Sequence, residues 1–133
     1  GNLGKRLYLK VDDIYIQNEK PRVAPGDNLK EVIMAISRGR LGATVVTNEK
    51  NIILGIITDG DIRRLLGKTD DISNITAMDI LTSHPKNTPT GTLAINAMEM
   101  MKEADISQLV ITGFGNEYLG IIHIHDLVRE GLI

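Results

Sequence analysis

The hydrophobic positions of this chain occur in two similar series, one in each half. Residues 54–62 read Leu-Gly-Ile-Ile-Thr-Asp-Gly-Asp-Ile and align with residues 119–127, Leu-Gly-Ile-Ile-His-Ile-His-Asp-Leu. Earlier matches keep the same order and join Pro25 to Pro89, Leu29 to Leu93, and Asp13-Ile14 to Asp79-Ile80. Repeated matches in one order predict two copies of one unit. A unit this small is marginal alone, so we expect the two copies to share a core.

Each copy begins with an extended segment that ends in proline, and a helix follows. In the first copy, Asn28 and Glu31 have the spacing of a capping box. The predicted apolar stripe of this helix is Leu29, Val32, Ile33 and Ile36. In the second copy Thr92 is the predicted N-cap, and the stripe is Leu93, Ala97, Met100, Met101 and Ala104. The two helices are expected to end near Gly39 and Asp105.

Two β-rich runs follow each helix, at 43–47 and 52–58 in the first copy and at 108–112 and 118–123 in the second. The polar turn between the runs of each copy predicts a hairpin. A final helix is expected to turn Ile62, Leu65 and Leu66, or Leu127 and Leu132, inward. The sequence therefore predicts an α+β (α/β-like) fold in which β-α-β-β-α occurs twice, with the copies packed as a pseudo-twofold pair.

Polar segments suggest the domain organisation. Residues 1–10 are interpreted as a hinge from a missing upstream domain, and residues 67–76 as a polar linker. The first domain is then expected at 11–66 and the second at 77–133. The absence of an initiator Met suggests a fragment of a longer protein.

Composition excludes several classes of function. The net charge of −2 offers no basic field for a nucleic acid partner. The chain has no Cys, which excludes disulfides and thiolate metal sites. No apolar run approaches the roughly 20 residues of a membrane span, and the first ten residues lack the apolar core of a signal peptide. We therefore expect no membrane partner and a cytoplasmic location.

The end of the second β-run carries candidate chemistry in both copies. Gly55 leads through Thr58 to Asp61, and Gly120 leads through His123 to Asp126. A carboxylate at a helix start can accept hydrogen bonds from both ribose hydroxyls, and a hydroxyl with free N–H groups can hold phosphate. The simpler alternative is that both Asp residues only cap helices, since Asp is a favoured N-cap. The residues alone leave both interpretations open.

The doubled β-α-β-β-α unit with Gly-x-x-Thr-x-x-Asp resembles the tandem cystathionine-β-synthase (CBS) domain pair, or Bateman module, from Val11 to Leu132. The resemblance implies two clefts between the paired domains, which often bind adenosine-type nucleotides. It assigns Thr58 and Asp61 to one cleft and Asp126 to the other, with Asp on ribose and Thr near phosphate. His123 departs from the usual Thr or Ser. The strand before the hairpin is implied to line the base site, at Ala43, Thr44, Ser107 and Gln108.

Three runs are similar to the C-terminal part of the arabinose 5-phosphate isomerases: residues 3–7, 58–64 and 123–127. Those bacterial enzymes place a sugar-isomerase (SIS) domain before a CBS pair and act in synthesis of the Kdo sugar of lipopolysaccharide or capsule. The resemblance implies that the acid and base groups lie in the SIS domain. No catalytic residue is therefore expected in this chain, whereas the whole protein is expected to be an isomerase. It also implies a homodimer through the CBS pairs, within a tetramer of the whole protein.

His123 and His125 alternate, so in a strand they would face the same side. Three interpretations stay open: a metal pair, a pH-sensitive phosphate contact by His123, and histidines satisfied by local hydrogen bonds. Because a metal site needs a third and fourth ligand, no metal site is predicted.

Two functional hypotheses follow. The first is a regulatory module that senses a nucleotide, with AMP, ATP and the sugar nucleotide CMP-Kdo as candidates, and signals through residues 1–10. The alternative is a structural dimerisation module with empty clefts. Apart from a regulatory nucleotide, no cofactor is predicted.

Overall fold

The computed structural model describes residues 2–133, and Gly1, the start of the expected hinge, lies outside them. The first copy contains α3 (Leu29–Gly39), α4 (Asp59–Lys68), β1 (Arg22–Val23), β2 (Ala43–Thr47) and β3 (Ile53–Thr58). The second contains α6 (Ala94–Ala104), α7 (Ile124–Arg129), β4 (Asn87–Pro89), β5 (Gln108–Thr112), β6 (Tyr118–His123) and a 3-10 turn (Phe114–Asn116). Three short helices precede these units: α1 (Asn2–Leu7), α2 (Val11–Tyr15) and α5 (Ala77–Ile80).

The strands form two sheets of three, with the orders β1-β2-β3 and β4-β5-β6. In each sheet the first pair is parallel and the second is an antiparallel hairpin. The register is the same in both, since Val45 lies opposite Ile56 and Val110 lies opposite Ile121. The predicted α+β fold with β-α-β-β-α twice is confirmed.

The N-terminus of α6 differs from the prediction. Helix α3 begins as expected, because the side-chain oxygen of Asn28 accepts a hydrogen bond from the Glu31 N–H at 2.9 Å. In α6 the prediction of Thr92 as N-cap is wrong, since Leu93 occupies that position. The Thr92 hydroxyl instead donates to the Pro89 carbonyl at 2.8 Å. The first N–H of the helix, that of Ala94, donates to the Leu9 carbonyl at 2.7 Å. A backbone carbonyl from a distant segment therefore satisfies this N–H in place of a capping side chain.

Two residues predicted to face the core are exposed. Ile33 is 40% exposed and Leu66 is 50% exposed. Each directly follows a residue that packs inward, Val32 and Leu65. Successive residues of an α-helix point about 100° apart, so the two side chains turn toward the outer surface of α3 and α4. The predicted ends of α3 and α6, near Gly39 and Asp105, are confirmed.

The two copies share one core, as expected. The inner faces of both sheets meet in a cluster formed by Leu41, Val45, Ile53, Val110, Tyr118 and Ile121. Tyr118 is fully buried, and its hydroxyl donates to the carbonyl of Pro21 in the other copy at 2.8 Å. Packing and hydrogen bonding therefore join the copies across the seam.

The short helices before each unit cross to the opposite copy. Val11 and Ile14 of α2 pack in a cluster with Leu109 and Ile122 of the second copy. Ala77 of α5 packs in turn with Val46 and other core residues of the first copy. The sequence analysis did not predict these helices. Within residues 2–133, no helix has the length and apolar character needed to cross a membrane.

Candidate functional site

The glycine of each repeated motif allows a segment of the opposite copy to cross the sheet. A Cβ atom on Gly55 would lie 2.6 Å from the Thr82 carbonyl oxygen, and one on Gly120 would lie 2.7 Å from Cδ1 of Tyr15. Contacts that short are not tolerated, so a side chain at either position would push the crossing segment away. At Gly55 the crossing chain also forms a two-way backbone bridge between Ile56 and Thr82. The motif's glycines therefore shape the walls of the site.

The motif's carboxylates lie at the third residue of a helix, inside a capping box. Thr58 is the N-cap of α4, and the Asp61 carboxylate accepts from the Thr58 N–H at 2.8 Å. His123 is the N-cap of α7, and Asp126 accepts from its N–H at 2.8 Å. Asp61 and Asp126 therefore cap their helices from the N3 position, and the interpretation that they are the N-cap residues is wrong. Both carboxylates nevertheless satisfy N–H groups that a helix start leaves free.

Asp61 opens onto a cavity of about 280 Å³ at the seam between the copies, which we call the Asp61 cleft. Most of its wall is apolar or aliphatic, with His84 and Lys86 adding polar groups from the second copy. Small-molecule sites span roughly 300–1,000 Å³, so this cleft is near the lower end. Its lining comes from both copies: Ile56, Thr58, Asp61, Thr82, His84, Pro85, Lys86, Ile106 and Gln108.

Asp126 borders the pseudo-symmetric cavity, of about 290 Å³, which we call the Asp126 cleft. This cleft is more polar, and its lining holds two arginines and two carboxylates. Arg40 of the first copy and Arg129, His123 and His125 of the second lie around it. The remaining lining includes Gln17, Asn18, Glu19, Gly39 and Leu41.

The two carboxylates differ in how far they are covered. The Asp61 side chain is 17% exposed, and besides Thr58 its partner is the mostly exposed Arg64 at 2.7 Å. The Asp126 side chain is 4% exposed and pairs with Arg129. It also accepts a hydrogen bond from the side-chain amide of Asn18 at 2.8 Å. Asn18 belongs to the crossing segment that follows α2, so the opposite copy covers Asp126.

The histidine pair does not share a strand. His123 ends β6, whereas His125 lies in α7, so the condition under which the two would face one side of a strand is not met. Their rings lie 4.4 Å apart between centroids. The backbone N–H of His125 donates to Nδ1 of the His123 ring at 3.0 Å, which requires Nδ1 to be unprotonated. Among residues 2–133 no group of three or more His, Asp or Glu side chains is placed to hold a metal ion.

Acid is expected to destabilise the fold through His123. Burial lowers the pKa of His123 below its ordinary value, His125 lowers it further, and Asp126 raises it in part. The unfolded chain therefore takes up this proton before the folded one as the pH falls, so stability decreases as the pH falls through the ordinary histidine pKa of about 6.5. His123→Thr keeps a capping hydroxyl, as at Thr58, but cannot titrate. Melting temperatures of both proteins from pH 7.5 to 5.5 should show the smaller loss in His123→Thr. Parallel curves would contradict this role.

The predicted base-site residues are placed differently from one another. Gln108 lines the Asp61 cleft and donates from its amide to the Leu41 carbonyl at 2.9 Å. Ser107 is exposed, and its carbonyl accepts from the Ile124 N–H. Ala43 and Thr44 are fully buried in β2, and neither lines the two clefts. The Thr44 hydroxyl has no hydrogen-bond partner within the described residues.

Several cleft residues were missed by the sequence analysis. Asn18, His84 and Lys86 reach the clefts from the crossing segments, which carry no motif. Arg40 reaches the Asp126 cleft because it adopts a left-handed conformation (φ 59°) at the end of α3. The sequence offered one indication, which is position: Arg40 directly follows α3 and Lys86 directly precedes β4.

A family model for the CBS domain matches twice, at residues 11–68 and 77–132. The chain belongs to the CBS domain family. Among curated relatives of this CBS pair, arabinose 5-phosphate isomerase KdsD of Yersinia pestis is 34% identical over 100% of the chain and 40% of that protein. KdsD of Francisella tularensis is 38% identical over 97% of the chain and 39% of that protein. The CBS pair thus spans about two fifths of the length of these relatives.

Solved CBS structures show the same fold. A CBS domain protein from Pyrobaculum aerophilum complexed with AMP has a TM-score of 0.71 and 21% identity, over 86% of this chain and 95% of that one. The CBS domain of the bacterial CNNM/CorC family Mg²⁺ transporter in complex with ATP has a TM-score of 0.77 and 14% identity, over 98% and 92%. At these identities the likeness concerns the fold.

Proposed function

We propose that this CBS pair is a regulatory module that binds a nucleotide at the seam between its two copies. The observation that carries the proposal is the position of Asp61, a capping carboxylate that borders a cleft lined by both copies. A ligand that contacts both walls binds only when the copies hold one relative arrangement. Its binding energy therefore favours that arrangement over others, which is the requirement for a sensor.

The chemistry of the Asp61 cleft suits a nucleotide. The carboxylate accepts hydrogen bonds from ribose hydroxyls, while Ile56, Ile106 and Pro85 offer apolar surface to a base. Lys86 provides a cation for phosphate, and the Thr58 hydroxyl, which donates to Asp61 at 3.1 Å, would turn to donate to the phosphate instead. The structural neighbours complexed with AMP and with ATP support an adenosine nucleotide. CMP-Kdo stays a candidate because its ribose and phosphate present the same groups.

We further propose that the whole protein is an arabinose 5-phosphate isomerase of the cytoplasm and that this module modulates it. The support is the identity of 34–38% to KdsD proteins more than twice as long as this chain. The chemistry would then belong to a separate sugar-isomerase domain, and the fragment alone is expected to be inactive in an isomerase assay.

A structural role through dimerisation is the second candidate function. The outer groove between α3 and α4 has a volume of about 490 Å³ and is lined in part by the exposed Ile33, and Leu66 of α4 is exposed as well. Exposed apolar groups on neighbouring helices are a feature of protein–protein contacts. Sedimentation velocity should give a dimer that Ile33→Glu converts to a monomer. A wild-type monomer would remove this candidate.

A thermal-shift titration of the purified chain with AMP, ATP and CMP-Kdo tests the nucleotide proposal. A ligand at 100 times its Kd stabilises the native state by about 2.7 kcal/mol, which corresponds to roughly 10 °C for a chain of this size. We expect a shift of that order with one of the three compounds. A dimer whose melting temperature none of them raises would favour the structural role.

A further inference from the structure

The two clefts are related by duplication, yet one amide side chain makes them unequal. Nδ2 of Asn18 donates one hydrogen to the Asp126 carboxylate at 2.8 Å and the other to the Ile121 carbonyl at 3.1 Å. Both donors of this amide are therefore used within the protein. The two acceptors belong to the second copy, so Asn18 fixes its own segment against the Asp126 carboxylate in the wall of this cleft.

The carboxylate that Asn18 covers has little capacity left. Asp126 already accepts from the His123 N–H and pairs with Arg129, and only 4% of its side chain is exposed. Ribose hydroxyls would have to displace the Asn18 amide from the carboxylate. A hydrogen bond to a charged group contributes about 1.5–3 kcal/mol, and its loss disfavours the exchange.

The Asp61 cleft lacks such a cover within residues 2–133. Here the crossing segment is attached through the backbone bridge between Ile56 and Thr82, which leaves the Asp61 carboxylate untouched. The next residues of that segment, Ser83 and His84, are exposed. Asp61 accepts hydrogen bonds from the Thr58 N–H, the Thr58 hydroxyl and Arg64, all of which belong to its own copy. Arg64 and Arg129 are exposed to a similar degree, 66% and 68%, and exposed ion pairs contribute only about 0–1 kcal/mol. The difference between the two clefts therefore lies in Asn18.

We propose that Asn18 closes the Asp126 cleft to ribose-containing ligands, so that each chain binds one nucleotide, in the Asp61 cleft. This inference rests on the proposed function. It makes Asn18 the residue that decides which of two duplicated sites is used. The Asp126 carboxylate then acts as a fastening point between the copies.

Isothermal titration with AMP measures the number of sites directly. Wild type should bind one AMP per chain, Asp61→Ala should bind it about a hundredfold more weakly, and Asp126→Ala should bind one as wild type does. Asn18→Ala should bind two, and Asn18→Ala combined with Asp61→Ala should retain one. Two sites in wild type, or one site in Asn18→Ala that Asp61→Ala removes, would overturn the inference.

A ligand-free measurement separates failure of the inference from failure of the proposed function. The side-chain amide protons of Asn18 should exchange with solvent at least tenfold more slowly than those of the exposed Asn74 in NMR spectra of the wild-type protein. Asp126→Ala should abolish that protection. If no variant binds AMP but the protection is present, the proposed AMP site fails while the closure by Asn18 stands. Equal exchange of Asn18 and Asn74 would overturn the closure, whatever the titrations show.

Discussion

Asp61→Ala should weaken nucleotide binding about a hundredfold while the chain still folds. A hydrogen bond to a charged group contributes about 1.5–3 kcal/mol, and the carboxylate is expected to receive two from one ribose. Loss of about 3 kcal/mol corresponds to roughly two orders of magnitude in Kd. Isothermal titration with the nucleotide identified by the thermal-shift screen measures the change.

Asp79→Ala is the matched control for the structural part of this effect. Asp79 holds the same position in the capping box of α5, where it accepts from the Thr76 N–H at 2.9 Å. It is exposed and lines neither cleft. Both substitutions remove a capping carboxylate, which costs about 1 kcal/mol of stability, but only Asp61→Ala should change binding. Equal affinities in the two variants would show that Asp61 does not touch the ligand.

Tyr118→Ala should lower the free energy of unfolding by about 3–5 kcal/mol, as truncation of a buried aromatic side chain does. The Tyr118 side chain is fully buried in the cluster between the two sheets. Burial raises the pKa of its phenol well above the ordinary value, so the hydroxyl stays protonated and donates to Pro21. Urea denaturation followed by circular dichroism measures the loss.

Two controls divide that effect into packing and hydrogen bonding. Tyr118→Phe keeps the ring and should lose only about 1–3 kcal/mol, the cost of leaving the Pro21 carbonyl without its donor. Tyr8→Ala changes a side chain that is 77% exposed, and surface changes of this kind stay within about 0.5 kcal/mol. If Tyr118→Ala were as mild as Tyr8→Ala, the two copies would not depend on a shared core.

The sequence predicted the elements whose signal is local. The hairpins at 43–58 and 108–123 follow from β-rich runs around a polar turn, and the structure has strands there. The N-cap at Asn28 follows from its spacing to Glu31. The prediction failed at Thr92 because the N–H group it was expected to cap is satisfied by Leu9, which is distant in sequence. Local patterns do not reveal such a partner.

The candidate site was partly predictable for the same reason. Asp61 and Asp126 stand out because duplication repeats them at equivalent positions, and both border a seam cleft. The difference between them depends on Asn18, which reaches Asp126 from the far end of the chain. The crossing of α2 to the second copy creates that contact, and no periodicity in this short helix indicated it. All eight predicted ligand contacts stay predictions: Ala43, Thr44, Thr58, Asp61, Ser107, Gln108, His123 and Asp126.

Chemical-shift mapping of the ¹⁵N-labelled chain with AMP tests the central claim most directly. We expect the largest changes at backbone amides of the Asp61 cleft, namely Thr58, Asp61, Lys86 and Gln108, with the amides around Asn18 and Asp126 little affected. Saturable shifts confined to the outer groove between α3 and α4, or none with AMP, ATP or CMP-Kdo at millimolar concentration, would contradict a nucleotide sensor built at the seam.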